Sequence, residues 1–194
     1  GPFFRCGRTF GGRTCVGACS DAGGLGRSSL CSRGGGHPAA LRRLLEAAPT
    51  SATAADGAGR LPHHDAASFG HADCLELLLE AAPGSARAAD SRGLTPLHLA
   101  AEDGMLAACE LLLTAAPDLA RVPDETGMLP LHRAAQEGQA DVVAALLAAV
   151  SGTATAVDKN QSVPLHYAAA NNHLAAAKLL VAAAPQTAAA ADRI

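Results

Sequence analysis

Asp90-Ser91-Arg92-Gly93-Leu94-Thr95-Pro96-Leu97-His98-Leu99-Ala100-Ala101-Glu102-Asp103-Gly104 is one copy of a pattern that returns along the chain. Leu-Pro-His-His-Asp-Ala-Ala begins at Leu61, Thr-Pro-Leu-His-Leu-Ala-Ala at Thr95, Leu-Pro-Leu-His-Arg-Ala-Ala at Leu129 and Val-Pro-Leu-His-Tyr-Ala-Ala at Val163, each 34 residues after the last. The same interval links Asp56, Asp90, Asp124, Asp158 and Asp192, and it links Pro49, Pro83, Pro117 and Pro185, with Ser151 in the missing place. Three landmarks in one register exclude coincidence, and a period of this size is the mark of a repeat array.

One unit reads physically as a turn and two short helices. In Asp90-Ser91-Arg92-Gly93 the glycine supplies a positive φ and the aspartate bonds its own backbone. Thr95 offers an oxygen as N-cap, and Pro96 sits at the first helical position, where its missing N–H costs nothing. The first helix runs to about Asp103. Gly104 ends it, and a second helix from Leu106 to Ala115 stops before Pro117. Helices this short are marginal alone, so they must stack on neighbours. The alanine pairs Ala100-Ala101, Ala134-Ala135 and Ala168-Ala169 permit close approach, while the leucine-rich second helices fill the space behind.

Departures from the pattern carry expectations of their own. Leu61, Leu129 and Val163 replace the capping threonine, a loss of about 1 kcal/mol each that predicts weaker helix starts. Gln161 stands in the place of Gly93 and Gly127, which predicts that Asn160 takes the positive φ instead. Asn172 replaces Gly104 and Gly138, a tolerable exchange because asparagine enters the left-handed region more readily than most residues. His63 replaces the inward Leu97, so the first full unit is expected to pack less well.

The run Asp-x-x-Gly-x-Thr-Pro-Leu-His-x-Ala-Ala-x-x-Gly followed by a Leu-Leu-Leu helix resembles the ankyrin repeat. The likeness spans Asp56 to Ala191 as four units, residues 56–89, 90–123, 124–157 and 158–191, after a degenerate partial unit at 37–55. Residues 1–36 form a Gly/Arg/Cys-rich leader expected to be disordered, and 192–194 begin a further turn. The resemblance implies an all-α solenoid of helix-turn-helix pairs with short β-hairpin fingers. It also implies that His64, His98, His132 and His166 hydrogen-bond within and between adjacent hairpins. The period of 34 exceeds the usual ankyrin spacing by one residue, placed here in the loop around Ala-Ala-Pro.

Composition narrows the function. Hydrophobic residues make up 49% of the 194, aromatics only 3%, and alanine about a quarter. That much Ala and Leu with 17% charge is not a disordered chain, and no apolar run approaches the roughly 20 residues of a membrane span. Residues 1–36 carry five arginines against Asp21, whereas the rest is acidic, with ten bases and 17 acids. Cys6, Cys15, Cys19 and Cys31 lack paired C-x2-C knuckles and form no metal site, and the few aromatics beside the arginines give no nucleic-acid signature. Repeat histidines lie about 10 Å apart along such a stack, too far to share a zinc ion. His63 and His64, adjacent on a helix, face different ways. Neither a phosphate loop nor a nucleophile elbow is present. The expectation is a chain without catalysis, cofactor or metal.

Binding is therefore the expected role, with another protein as partner and a monomer as the acting form. No nucleic acid and no membrane span are expected. By carry-over from the ankyrin pattern the contact positions are Phe69, Ser91, Arg92, Leu94, Glu102, Asp103, Glu125, Thr126, Met128, Gln136, Glu137, Lys159, Asn160, Ser162 and Asn171, with Ala58, Arg60, Ser68 and Ala170 alongside. Leu94, Met128 and Phe69 stand out as apolar residues amid polar ones, fit to centre a contact. Acids outnumber bases on the middle of this surface, which suits a partner with a basic patch. The alternative role is the substrate-recognition or targeting arm of a larger enzyme. Cys74 and Cys109 in helical pattern suggest a reducing compartment, cytoplasmic or nuclear. The chain reads as a fragment, with further repeats expected beyond Ile194.

Overall fold

The structure is a computed structural model that describes residues 36–185. The leader and the start of a further turn at 192–194 lie outside the described residues. Among those described there are nine α-helices and no strand. They are α1 (Pro38–Ala47), α2 (Pro62–Ser68), α3 (Ala72–Ala81), α4 (Pro96–Glu102), α5 (Leu106–Ala115), α6 (Pro130–Glu137), α7 (Ala140–Ala149), α8 (Pro164–Ala170) and α9 (Leu174–Ala183). Short 3-10 turns follow the outer helices at Pro49–Thr53, Pro83–Arg87, Pro117–Arg121 and Thr153–Thr155. Where Ser151 replaces proline the turn is shortest, and Gly152 enters it with φ 87°.

Two rows of helices stack side by side. The inner row is α2, α4, α6 and α8, the outer row α1, α3, α5, α7 and α9, and each helix packs on the next in its row. The inner helices lie close because Ala66, Ala67, Ala100, Ala101, Ala134 and Ala135 present only methyl groups and are wholly buried. Leu75, Leu78, Leu112 and Leu146 fill the space between rows. Cys74 and Cys109 are buried in the same layer, and burial pushes the Cys109 thiol up to about 12. Each unit alone buries too little to hold its helices, so its stability is that of its interfaces.

Three expectations about the backbone need correction. The fingers are not β-hairpins: each is an aspartate-centred turn, joined to the next by a single backbone hydrogen bond. Ser91 N donates to Ala58 O at 2.9 Å, Glu125 N to Arg92 O at 3.2 Å and Lys159 N to Thr126 O at 3.1 Å. Gln161, not Asn160, takes the positive φ, at 61°, while Asn172 takes φ 60° as expected. Finally, Thr95 does not cap its helix, since His98 N donates to the Thr95 carbonyl instead, at 3.0 Å.

Candidate functional site

Every helix start in the inner row is capped by histidine. The N-cap N–H donates to the Nδ1 of the histidine three residues on, from Leu61 to His64 at 2.9 Å, Thr95 to His98 at 3.2 Å, Leu129 to His132 at 3.0 Å and Val163 to His166 at 3.3 Å. The side chain of the N-cap residue is not used, so Leu61, Leu129 and Val163 begin their helices as Thr95 does. An Nδ1 that accepts leaves Nε2–H to donate. It does so across the junction, from His64 to Leu94 O at 3.1 Å, His98 to Met128 O at 3.1 Å and His132 to Ser162 O at 3.2 Å.

The three bridging rings, His64, His98 and His132, are neutral and of one tautomer, set by the hydrogen bonds that each nitrogen makes. Burial disfavours the charged ring and takes His98 down to about 4, against a smaller opposing pull from the Met128 carbonyl. His64 and His132 are lowered for the same reason. With both nitrogens spent on backbone, these three rings have no lone pair or proton left for metal binding or acid-base work. Among the described residues no three His, Cys, Asp or Glu side chains converge.

Each finger is shaped by its aspartate. One carboxylate oxygen accepts two N–H groups, those of Ala58 and Arg60 on Asp56, Arg92 and Leu94 on Asp90, Thr126 and Met128 on Asp124, and Asn160 and Ser162 on Asp158, all within 3.0 Å. The second oxygen is free to take a side chain from the inner helix nine residues on. Arg133 reaches Asp124 at 2.5 Å and Tyr167 donates to Asp158 at 2.5 Å. Burial alone would raise the pKa of both aspartates, but hydrogen bonds outweigh it, led by Thr126 and Arg133 at Asp124 and by Tyr167 at Asp158, and both are held below the usual range.

The expected contact residues divide into three groups. Ser91, Arg92, Asp103, Glu125, Thr126, Glu137, Lys159, Asn160 and Asn171 are exposed. Phe69, Glu102, Gln136 and Ser162 are half-buried. Leu94 and Met128 are buried, 0% and 6% exposed, and cannot centre a contact. Both lie at the junction between adjacent units, where their carbonyls accept from His64 and His98 of the preceding unit. Phe69 lies against His71, with ring centroids 6.3 Å apart.

Several of these residues link one unit to the next. Lys159 Nζ donates to Glu125 O at 2.6 Å, Ser68 to Asp103 at 2.6 Å, and Asn171 to Gln136 O at 3.0 Å. Arg133 lies 3.7 Å from Glu102 as well as on Asp124, so it partly neutralises the centre, while Asp103, Glu125 and Glu137 are outward acids. Sequence reasoning passed over Arg133 and Tyr167. Their signal was present, since the position after each repeat histidine, occupied by Asp65, Leu99, Arg133 and Tyr167, holds a different kind of side chain in every unit.

A family model described as ankyrin repeats (3 copies) covers residues 29–122 and 117–189. No curated protein matches the chain.

Proposed function

The chain belongs to the ankyrin repeat family, and on that premise we propose that it is an interaction module whose partner protein lies across the finger tips and the inner-helix ends of units two to four. Ankyrin repeats are in general protein-protein interaction modules. One observation supports the placement. Along this side of the stack the buried framework repeats while the exposed residues change, as Ser91, Glu125 and Lys159 at one register, Arg92, Thr126 and Asn160 at the next, and Asp103, Glu137 and Asn171 at the third. A surface that varies on a constant frame has the form of a recognition surface rather than of packing.

Its charge points to a partner with a basic patch facing Asp103 and Glu137. Such exposed charges act mainly on association rate and partner choice and are screened over about 10 Å at 0.1 M salt. The test is affinity capture by the intact array and by an Asp103→Lys, Glu137→Lys variant of unchanged melting temperature. Captured protein should fall with the substitutions and with rising salt. Capture that persists in both, with a neutral partner, overturns the reading.

A further inference from the structure

Two glycines in each of units one to three mark where the next unit comes close. In the finger, a Cβ on Gly93 would stand 2.7 Å from Glu125 N, and one on Gly127 2.9 Å from Lys159 N; at Gly59 the distance to Ser91 N is a looser 3.4 Å. At the corner between the helices, a Cβ on Gly70, Gly104 or Gly138 would lie 2.5, 2.4 or 2.4 Å from Met105 Sδ, Gln139 Oε1 or His173 Nδ1. The corner clash is with the far ends of side chains, which can turn away. At Gly93 and Gly127 the clash is with backbone that is itself hydrogen-bonded to the preceding finger, which cannot turn away as a side chain can, whereas Gly59 has room for a Cβ.

Unit four has a side chain at both places. Gln161 and Asn172 hold φ 61° and φ 60°, close to the 74° of Gly93 and Gly104, so the turns keep the shape of glycine without its freedom. A non-glycine residue pays strain for that shape. The backbone demand therefore favours glycine, and what glutamine and asparagine add is a Cβ on the face toward which the next unit would come.

We propose that unit four is a stacking stop: its outward face rejects a further ankyrin unit in the 34-residue register that joins the first four. Gln161 is the main block because its Cβ would meet the backbone of an incoming finger, as a Cβ on Gly93 or Gly127 would, and Asn172 reinforces it. This runs against the expectation that the same stack simply continues, because any repeat beyond this unit must approach by a different geometry.

The test appends a copy of residues 90–123 after Ala191, in place of 192–194, to the full chain and to its Gln161→Gly, Asn172→Gly variant. Amide hydrogen exchange is then followed in the appended unit. In the parent background the copy should exchange as an unstacked segment, and in the glycine background about a hundredfold slower. Equal exchange in the two backgrounds, fast or slow, overturns the proposal. A reciprocal variant needs no added unit. Gly127→Gln in the unextended chain should speed exchange in residues 158–185 about tenfold while unit two keeps its rates; unchanged rates there would also overturn it.

Discussion

Units one and two have the same backbone and opposite interiors. Their inner helices α2 and α4 are each seven residues long, their finger glycines Gly59 and Gly93 hold φ 75° and 74°, and His64 and His98 make the same pair of bonds. Yet three matching positions are Leu94, Leu97 and Leu99 in unit two, all buried, and Arg60, His63 and Asp65 in unit one. Arg60 and Asp65 form an ion pair at 2.7 Å, while Arg60 Nε and both His63 ring nitrogens are buried without a hydrogen bond. The carbonyls of Leu78 and Ala82 lie close enough to favour a proton on His63, but neither completes a bond. The repeat's shape is thus set by its Asp, Gly, Pro and His residues, and the inner side chains decide how firmly that shape is held.

Acid should separate the two units most strongly. Burial lowers His63 and His98 to about 4, from 6.5 in the unfolded chain. The unfolded chain takes up protons first as pH falls, so the stability these rings contribute is whole above about pH 6.5 and is lost on the way down to about 4. Each such shift amounts to on the order of 3 kcal/mol. Unit one carries His63 as well as the repeat histidine. Asp65, raised by burial, works the other way and restores part of the loss as it takes a proton. Hydrogen exchange at pH 7 and pH 5, corrected for intrinsic rates, should show unit one opening first; a uniform response along the chain breaks the comparison.

Removing a shared feature should cost nearly as much. His98→Ala deletes the bonds to Thr95 N and Met128 O together and leaves buried backbone groups unpaired, an expected loss of about 2–4 kcal/mol in a urea melt. A loss under about 1 kcal/mol would mean that the bridge holds little. The opposite sign is expected for His63→Leu, which gives unit one the interior of unit two. It should gain about 1–3 kcal/mol and narrow the difference in acid; destabilisation would show that the histidine is better held than its geometry indicates. Smallest of all is Thr95→Val. The hydroxyl lies 2.9 Å from His98 Nδ1 but does not reach the helix N–H groups, so its loss should cost less than about 1 kcal/mol by thermal melt.

Much of this was legible without coordinates. The paired short helices, the corner at Gly104 and the left-handed Asn172 follow from the pattern, and the bridging histidines from the resemblance to ankyrin repeats. The candidate surface was legible in part. Ser91, Arg92, Glu125, Thr126, Lys159 and Asn160 face outward as the pattern implies, because turn tips point away from the stack whatever their chemistry. Leu94 and Met128 misled, since an apolar residue between polar ones was read as exposed. Thr95 misled as well, because a capping residue type is also suited to other contacts and here the histidine had taken the role.

By itself the sequence determined the period, the helix pairs and the turn at each aspartate. Those features follow from single residues: an Asp that accepts its own N–H groups, a Pro that fits a helix start, a Gly that tolerates positive φ. Only the tertiary structure decided which side chains meet a neighbour. Leu94 is covered and Ser91 is not, Arg133 is drawn to Asp124, and a Cβ at Gln161 stands where glycine elsewhere lets a finger approach. The physical reason is that exposure depends on how adjacent units and helices pack, which no single residue type encodes.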